Sequence, residues 1–378
     1  MPYPRFWQSG RPPILAPGHT TKLPVLCDLA VSFPFCPVGI HRASISDLAA
    51  QLNLSVSTVS RALSNNSRIS EATKQRVMEL ARQLHYQPNH LAAALRKGRS
   101  NTLGVVIPHI DGQFFALVVK GIETLANQAG FNVMFCQSNE KVEQERKNIE
   151  ALLNAQVDGI LVSISLSTHE FGHLEEVRRR GIPLVFFDRI LDRPDTSAVV
   201  LDDYQGGYDA VCHLLEQGCK HIAHLGGPQH LNICKNRYQG YVDALGSYNH
   251  PLDPALVHFS DLSMQDGRDG MEILLRQAPN LDGVFACNDL ALVGAMHTVK
   301  RQGLRIPQDI ALAGFSNELF DSLTEPMLTS VDQRCEEMGR TAVQMLLEMI
   351  SAGDQAVAPR HVVLQPTLLI RESSQRHG

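Results

Sequence analysis

The sequence predicts an α/β body made of two doubly wound parallel-sheet lobes, preceded by a small all-α module. Residues 43–97 show short stripes of apolar residues at helical spacing. From Thr102 onwards, apolar runs of five or six residues alternate with amphipathic helices, which is typical of buried parallel strands. The alternation stops at residues 199–203 and then starts again, so we expect two lobes in the body.

Residues 1–41 differ from the rest of the chain. They contain eight prolines and the only tryptophan, Trp7, and they show no sustained periodicity. We interpret this segment either as a disordered extension or as a misassigned start. The next methionine, Met78, lies inside a predicted helix, so a later start would use another codon, for which Val38 is suitably placed.

The overall composition excludes several classes of protein. With 44% apolar and 19% charged residues, the chain has the composition of a folded globular protein. No apolar run approaches the ~20 residues of a membrane span, so we expect no membrane partner. The eight cysteines form no CxxC pair, and most have apolar neighbours, which favours buried, reduced thiols and a cytoplasmic location.

Charge is unevenly distributed along the chain. Residues 42–102 hold nine Lys and Arg against three acids, whereas the whole chain has a net charge of −5. A basic module joined to an acidic body indicates that the module alone binds a polyanion. An incidental imbalance is the alternative interpretation.

Three helices are predicted in the module. Ser44, Ser55 and Ser70 are placed to cap their first turns, and Asn53 tolerates the left-handed conformation of a tight turn. The predicted inward faces are Ile45, Leu48, Ala49 and Leu52, then Val59 and Leu63, then Val77, Leu80, Ala81 and Leu84. Each stripe is narrow, so we expect the three helices to need one another to bury their apolar faces.

The first two helices have the spacing of a helix-turn-helix, in which the second helix is short. Val56, Ser57, Ser60 and Arg61 fall off the buried stripe of the second helix and are expected to face outward. Small hydroxyl and aliphatic side chains let a helix enter the major groove, where an Arg can bond to guanine. A merely solvent-exposed helix would not explain the turn spacing, the caps and the positive charge together.

Residues 44–98 read SISDLAAQLNLSVSTVSRALSNNSRISEATKQRVMELARQLHYQPNHLAAALRKG, which resembles the DNA-binding headpiece of the lac-repressor (LacI) family of bacterial transcription regulators. The rest of the chain, to about residue 372, resembles the family's effector domain, which has a periplasmic-binding-protein-like fold. The resemblance implies a sequence-specific repressor that binds a pseudo-palindromic double-stranded DNA operator as a homodimer or tetramer. It also implies allosteric control by a small ligand, a sugar or sugar derivative.

The same resemblance divides the chain into a helix-turn-helix headpiece (42–87), a hinge (88–101) and an effector-binding and dimerisation body (102–372). The first lobe is expected at about 102–200 and 333–362, and the second at about 201–332 and 363–372. The DNA-contacting residues that the resemblance and the exposed face give for the headpiece are Ser46, Ser55, Val56, Ser57, Thr58, Ser60, Arg61 and Asn65.

The hinge begins at Pro88, which ends the third helix because the residue before a proline is pushed out of helical space. The following HLAAALRKG is too short to form a stable helix alone. In the family this segment folds on the operator, pairs with its dimer mate and inserts a leucine into the minor groove. The matching residues here are Asn89, Ala92 and Leu95; a linker helix packed on the body is the alternative.

Polar and aromatic side chains follow the ends of several predicted strands, where ligands of doubly wound sheets bind. The strand ends and the resemblance select Phe114, Phe115, Ser163, Asp188, Arg189, Arg237, Asn288, Asp289 and Ser316. Aromatic faces with convergent Asp, Asn and Arg suit a polyol. The family's equivalents of Asp188, Arg237, Asn288, Ser163 and Ser316 contact the effector. Loop polarity or helix capping is the alternative for each residue, and Asp289 in particular could cap a helix.

Two departures from the family pattern leave the ligand open. Many members have Asn-Pro where this chain has Gly112-Gln113, and many have Asp where this chain has Ser316. Both changes remove acceptors for hydroxyl groups. The ligand could therefore be a different sugar, a sugar phosphate or acid bound by Arg237, or a molecule of another class.

Other signals are weaker. Cys219, His221 and His224 could suggest a metal site, but their spacing fits no tetrahedral site well, so we expect no metal and no cofactor. The sequence shows no Ser/His/Asp or paired-carboxylate arrangement typical of a catalytic site, so we expect no enzymatic activity. The rival interpretation, a sugar-binding receptor of a transport system, shares the two-lobed fold but would need an export signal and no helix-turn-helix.

Overall fold

A computed structural model describes residues 43–86, 99–353, 355 and 357–376. The chain divides into two compact units, residues 1–88 and residues 89–378, which are described separately below. The interpretation of residues 1–41 and the hinge residues Asn89, Ala92 and Leu95 fall outside the described residues.

The first unit contains three helices, α1 (Ile45–Leu52), α2 (Val56–Leu63) and α3 (Glu71–Gln83). The three predicted caps are present, since the side chains of Ser44, Ser55 and Ser70 each accept a hydrogen bond from a backbone N–H in the first turn. Asn53 ends α1 with φ 52° and ψ 43°, the predicted left-handed turn. These local signals fix where each helix begins and how α1 turns into α2.

The core of this unit is small and differs in detail from the predicted inward faces. Its buried residues are Leu48, Ala49, Val59, Ala62, Val77 and Ala81. Ala62, which was not predicted, is buried, whereas Leu63, Leu80 and Leu84 are only partly buried and pack against the core. The short side chain of Ala62 is covered where the helices approach one another, whereas Leu63, Leu80 and Leu84 stay partly exposed.

The first lobe of the body is built on a six-stranded parallel sheet. Its strands are β1 (Thr102–Ile107), β2 (Asn132–Gln137), β3 (Gly159–Val162), β4 (Leu184–Phe187), β5 (Ser197–Leu201) and β11 (His361–Leu364), in the order β11-β5-β4-β3-β1-β2. Its helices are α4 (Gln113–Gln128), α5 (Val142–Asn154), α6 (Gly172–Arg179) and α11 (Cys335–Ala352). The strand order reverses between β1 and β3, which makes the carboxyl ends of these strands a topological switch point.

The second lobe repeats this plan. Its strands are β6 (Ile222–Gly226), β7 (Val257–Phe259), β8 (Gly283–Ala286), β9 (Ala311–Ser316), β10 (Thr329–Asp332) and β12 (Thr367–Leu369), in the order β12-β10-β9-β8-β6-β7. Its helices are α7 (Asp203–Glu216), α8 (Asn232–Ser247), α9 (Met264–Gln277) and α10 (Asp289–Arg301). All pairings are parallel except that of β12 with β10.

The chain crosses between the two sheets three times: after Leu201, after Asp332 and after Leu364. The last crossing is two residues later than the expected boundary at 362, because β11 continues to pair with β5 as far as Leu364. Three crossings bring the carboxyl ends of the strands of both sheets to a common cleft.

Close helix packing in the first lobe depends on a glycine. A Cβ on Gly339 of α11 would lie 2.1 Å from the carbonyl oxygen of Val118 in α4. Only a glycine therefore permits these helices to pack at this distance.

Among the described residues, no helix is both long and apolar enough to cross a membrane.

Candidate nucleic-acid interface and ligand cavity

The second helix of the first unit presents a small exposed face. Val56 is 43% exposed, and Ser57 and Arg61 are also exposed, whereas Thr58 and Ser60 are half-buried. Ser46 on α1 and Asn65 after α2 are exposed as well, and Asn65 has a φ of 53°. Apart from Ser46, the described headpiece candidates therefore lie on α2 or next to its ends. Val56, Ser57 and Arg61 are the exposed ones on the helix itself.

Several hydroxyls at the start of α2 are already engaged within the helix. Ser55 Oγ accepts a hydrogen bond from the Thr58 N–H at 3.1 Å, and it lies 2.8 Å from both Ser57 Oγ and Thr58 Oγ1. Ser55 therefore has a capping function whatever it contacts outside. Val56 and Arg61, which take no part in these bonds, have the greater freedom to meet a groove.

A cavity of about 380 Å³ lies between the two lobes, within the size range of small-molecule sites. Eight of the nine predicted residues line it: Phe114, Phe115, Asp188, Arg189, Arg237, Asn288, Asp289 and Ser316. Ser163 does not; it is fully buried and donates a hydrogen bond to Asp188 Oδ2 at 3.2 Å. Ser163 thus orients a cavity residue instead of facing the cavity.

Arg237 lies on α8 and is almost fully committed to the protein. Its Nε donates to Asp203 Oδ1 (2.8 Å), its Nη1 to the Cys287 carbonyl (2.8 Å) and its Nη2 to Gln333 Oε1 (3.1 Å). Its guanidinium also lies 3.6 Å above the centre of the Phe315 ring. Only 3% of the residue is exposed, so one edge of a paired guanidinium forms part of the cavity wall.

The Arg237–Asp203 pair is the main electrostatic feature of the second lobe. Burial raises the pKa of the Asp203 carboxyl to about 6, although the nearby guanidinium opposes that rise. Burial disfavours the charged form of Arg237, yet Asp203 holds the pKa of that guanidinium above its ordinary value. Near neutral pH both groups are charged, and the ion pair is intact.

A second polar group surrounds Asp188 at the end of β4. Asp188 has a φ of 60°, and burial raises the pKa of its carboxyl despite the opposing Arg189 and Arg237. Arg189 is paired with Glu140, whose two carboxylate oxygens each lie 2.9 Å from Arg189 Nη1. Asp188 is therefore a buried carboxyl in the cavity wall whose main protein donor is Ser163.

Three further predicted residues are also engaged by the protein. Asn288 caps α10 by accepting from the Ala291 N–H (2.9 Å), and its amide donates to the Leu262 carbonyl (3.1 Å). The alternative interpretation of Asp289 as a helix cap does not hold, since Asn288 is the cap. Asp289 is fully buried, and its carboxylate accepts from Ser330 Oγ at 2.8 and 2.9 Å. Ser316 Oγ accepts from Gln333 Nε2 at 2.9 Å.

The structure adds cavity residues that the strand-end rule had not selected. They are His109, Gly112, Glu140, Leu166, Pro228, Leu231, Ile233, Cys234, Asp261, Leu262, Ser263, Cys287, Leu290, Glu318 and Gln333. Glu140 lies three residues after β2 and Glu318 two residues after β9, so applying the rule to every strand would have found both. Cys234 and Leu231 come from the start of α8, for which the sequence gives no comparable signal.

Glu318 occupies a special position because it connects the lobes. Its Oε2 accepts a hydrogen bond from the Gln113 N–H at 3.1 Å, at the start of α4, where Gly112 offers no side-chain cap. Burial raises the pKa of the Glu318 carboxyl, while the Gln113 N–H opposes that rise. A carboxylate from the second lobe thus caps a helix of the first, at the position where the sequence lacks the family's Asn-Pro.

Two more side chains bridge the lobes. Asn232 donates from Nδ2 to the Asp188 carbonyl (2.9 Å) and accepts from the Ile190 N–H at Oδ1 (3.1 Å). His230 Nε2 lies 2.8 Å from the Leu166 carbonyl, and its ring packs against that of His169 at 4.4 Å. Together with Glu318, these contacts hold the cavity closed between the lobes.

Cys219, His221 and His224 do not assemble into a common site. His224 is fully buried and stacks on Tyr241 and Phe285, with its Nδ1 3.1 Å from the Phe285 carbonyl. Burial lowers the pKa of His224 to about 3, so the ring is neutral. Among the described residues no group of three or more potential metal ligands is present.

The first unit has three helices, one of which presents an exposed face that fits a DNA groove, and the body has two lobes that enclose a cavity. Together these features define the class of ligand-responsive DNA-binding regulators. The sequence profile described as "Bacterial regulatory proteins, lacI family" matches residues 44–89, and the profile "Periplasmic binding protein-like domain" matches residues 211–374. The HTH-type transcriptional regulator DegA of Bacillus subtilis (strain 168) is 33% identical over 341 residues, covering 88% of this chain and 98% of the relative.

Solved structures agree with this classification. A complex of the transcriptional regulator CelR with cellobiose is 29% identical, with a TM-score of 0.68, and covers 88% of this chain and 100% of the other. The lac repressor dimer bound to operator and the anti-inducer ONPF is 25% identical, with a TM-score of 0.78, and covers 88% and 99%. The chain belongs to the LacI family of bacterial transcription regulators.

Proposed function

We propose that the protein is a cytoplasmic homodimeric repressor, without enzymatic activity, whose affinity for a pseudo-palindromic operator depends on a neutral carbohydrate bound between the lobes. The observation that carries this proposal is the interlobe cavity, which is lined by aromatic rings and carboxyl groups and spanned by hydrogen bonds between the lobes. The relatives bound to cellobiose and to an operator support the class of ligand and of partner.

The wall of the cavity favours a polyol. Phe114 and Phe115 pack edge to face, with ring centres 4.9 Å apart, and offer apolar surface to the CH groups of a sugar. Asp188 and Glu318 supply carboxyl oxygens to hydroxyl groups. A site of this kind binds by stacking one side of a ring and hydrogen bonding its edge.

The charges in the wall favour a neutral ligand over a sugar phosphate or acid. Arg237 is paired with Asp203, and Arg189 is paired with Glu140. Both arginines that line the described cavity are therefore neutralised before any ligand enters. An anionic ligand would have to approach the carboxyl groups of Asp188 and Glu318 without a compensating free cation.

The DNA half of the proposal is supported by α2. Val56 can contact a thymine methyl group, Ser57 can bond to a base edge, and Arg61 can form a bidentate contact with guanine. Nine basic residues between 42 and 102 supply the charge that attracts phosphates. The dimeric lac repressor on its operator supports two such helices reading two half-sites.

The test uses the full-length protein in two stages. Binding sites are first selected from a random duplex DNA library, and a panel of neutral sugars, sugar phosphates and sugar acids is screened by thermal shift. The selected DNA is then titrated at two salt concentrations with and without each stabilising compound. We expect the selected sites to contain one half-site and its inverted repeat. We also expect the affinity for these sites to change when a neutral sugar is added.

Two variants make the result specific. Phe114→Ala should weaken sugar binding and the change in operator affinity, while Leu323→Ala, at a side chain that is 75% exposed and outside the cavity, should alter neither. A response to sugar phosphates alone would overturn the choice of ligand. A thermal shift without any change in DNA binding would overturn the allosteric coupling.

A further inference from the structure

Two cysteines lie together in the wall of the cavity. Cys234 is on the first turn of α8 and Cys287 directly follows β8, and both are free thiols that line the cavity. Both belong to one buried cluster: Cys287 follows β8 where that strand pairs with β6, and the Cys234 sulfur packs at Gly227, the residue after β6. Fifty-two residues separate them in sequence, so this contact is a product of the fold.

The surroundings form a built pocket for the two sulfurs. The Cys287 N–H donates a hydrogen bond to the Leu225 carbonyl at 2.8 Å, which fixes Cys287 against the end of β6. A Cβ on Gly227 would lie 2.5 Å from Cys234 Sγ, so the absence of a side chain at this position makes room for that sulfur. Arg237, which bonds to the Cys287 carbonyl, places a positive charge beside the pair.

This environment distinguishes Cys287 from the other described cysteines. The hydrogen bond from the Cys234 thiol lowers the pKa of Cys287; burial opposes this shift, and the Arg237 charge assists it. In contrast, burial raises the pKa of Cys219 and of Cys335 to about 12. It also raises the pKa of Cys136 and Cys212. The lower pKa makes Cys287 the better nucleophile of the pair.

We propose that Cys234 and Cys287 form an oxidation site inside the ligand cavity, where a peroxide small enough to enter converts the two thiols into a disulfide. This site is independent of the DNA-binding function. The oxidant class is chosen for its size, since the two sulfurs are reached through the cavity and not from the outer surface.

The chemistry balances in two steps. The Cys287 thiolate sulfur attacks one peroxide oxygen, an S–O bond forms as the O–O bond breaks, and the leaving hydroxide takes up the proton lost by Cys287. The Cys234 sulfur then attacks the Cys287 sulfenic acid, an S–S bond forms as the S–O bond breaks, and the hydroxyl leaves as water with the Cys234 proton. Two thiols lose two hydrogens and two electrons, and hydrogen peroxide is reduced to two waters.

The location gives the disulfide a consequence for the lobes. Cys234 is two residues beyond Asn232, which bridges to Asp188 and Ile190 of the first lobe. A covalent bond to Cys287 would tether the first turn of α8 to the end of β8. It would also replace two thiols of the cavity wall, so oxidation should lower the affinity for the cavity's ligand, a consequence that rests on the proposed function.

The test is carried out on the full-length protein without any ligand. The protein is treated with increasing hydrogen peroxide, denatured, alkylated with iodoacetamide and mapped by mass spectrometry. We expect a cross-linked peptide pair containing Cys234 and Cys287, lighter by two hydrogens than the two reduced peptides, to accumulate at the lowest effective peroxide concentration. Dithiothreitol should remove it. Undiminished alkylation of both residues, after Cys136 has been oxidised, would overturn the proposal.

Two variants sharpen the outcome. In Cys234→Ser the cross-link should disappear, and Cys287 should instead be labelled by dimedone, which traps sulfenic acids. Cys136→Ser, which removes a half-buried thiol outside the cavity, should leave the cross-link unchanged. Cross-links that pair Cys287 with any other cysteine would contradict the assignment. The peptide map of the wild-type chain decides the proposal by itself, so a variant that folds poorly would not save it. The map does not depend on operator binding, so a failure of the proposed DNA-binding function would leave the result unchanged.

Discussion

Arg237 illustrates how a residue expected to bind ligand directly can have a structural function as well. Because its guanidinium is paired with the fully buried Asp203, removing it leaves an uncompensated buried carboxylate. We expect Arg237→Ala to lower the free energy of unfolding by about 3–5 kcal/mol and to abolish the response to the ligand. Urea unfolding and thermal shift with the identified sugar measure the two effects.

A double variant separates these two functions of Arg237. Arg237→Met combined with Asp203→Asn removes both charges and keeps similar volume, so most of the lost stability should return. The ligand response should stay lost, because the polar edge of the guanidinium is missing from the cavity wall. If the double variant responds to the sugar normally, Arg237 only supports the fold.

A second residue-scale feature is the buried acid pair formed by Asp321 and the cavity residue Asp289. Asp289 accepts hydrogen bonds from Ser330 and from the Glu318 N–H, so it is the ionised partner. Burial, followed by the charge of Asp289, raises the pKa of Asp321 to about 10, and its retained proton bonds to Asp289. An acid whose pKa is raised on folding contributes most stability at low pH and loses that contribution as the pH rises through the folded-state value.

Asp321→Asn tests the sign of this effect. An asparagine donates to Asp289 at every pH, so its stability relative to the wild type should increase between pH 5 and pH 9, by at most about 1.4 kcal/mol per pH unit. Urea unfolding at several pH values measures the difference. Asp309→Asn is the matched control: Arg305 lowers the pKa of the half-buried Asp309 to about 2, so its contribution does not change over this range.

At the residue scale the sequence predicted where polar groups converge but not what holds them. Strand ends placed Asp188 and Arg189 correctly in the cavity wall, since the ends of parallel strands meet at one edge. Ser163 obeys the same rule but points at Asp188, because one rotation of a short side chain decides its partner. Such choices depend on neighbours distant in sequence, which a single sequence does not reveal.

At the scale of elements, α2 provides the clearest functional prediction. Arg61 is exposed near the end of the helix. If it reads a guanine, Arg61→Ala should cost about 1–3 kcal/mol of operator affinity and relax the sequence preference at one base pair. Titrations with operator and with unrelated DNA at equal salt give the ratio that measures this loss.

A charge-matched control distinguishes reading of bases from general attraction. Arg82 lies near the end of α3 with 75% of its side chain exposed, and Arg82→Ala removes the same charge. Both variants should weaken binding to unrelated DNA similarly, but Arg61→Ala alone should lower the ratio of specific to non-specific affinity. Equal ratios in the two variants would assign Arg61 to phosphate contact.

The helices themselves were largely predictable because their signals are local. Serine caps at 44, 55 and 70 and the turn at Asn53 are encoded within four residues of the backbone groups they serve. The burial of Ala62 in preference to Leu63 was not predictable, since apolar periodicity identifies a face but not the point of closest approach. Packing between helices decides that point.

At the scale of the whole body, the two-lobed plan followed from the repeated strand–helix alternation, whereas closure of the cleft did not. The residues that bridge the lobes, Asn232, His230 and Glu318, lie in loops or at a helix start and have no periodic signal. Glu318 also supplies a carboxylate at the position where Gly112 offers no side-chain cap. The missing side-chain cap in the first lobe is thus replaced by a carboxylate from the second lobe. Only the assembled fold reveals this replacement.

Asn232 is the bridge best suited to a test of lobe closure. Asn232→Ala removes two hydrogen bonds between the lobes while leaving every residue that lines the cavity in place. At about 1 kcal/mol for each bond, the closed arrangement should be destabilised by about 2 kcal/mol and the sugar should bind more weakly by a factor of about 30. Small-angle scattering of the ligand-free variant should show a larger radius of gyration than that of the wild type.

The same variant tests the coupling between ligand and DNA. Linkage requires that a change in the equilibrium between open and closed lobes alter both affinities together, so Asn232→Ala should shift ligand-free operator affinity in the direction opposite to the sugar's effect. Gln344→Ala is a suitable control, since this amide bonds to Glu348 on α11 outside the cavity. The variant could instead bind the sugar more weakly while its ligand-free operator affinity, and the change in that affinity at saturating sugar, stay as in the wild type. That result would show that lobe closure positions the ligand without transmitting its presence to the DNA.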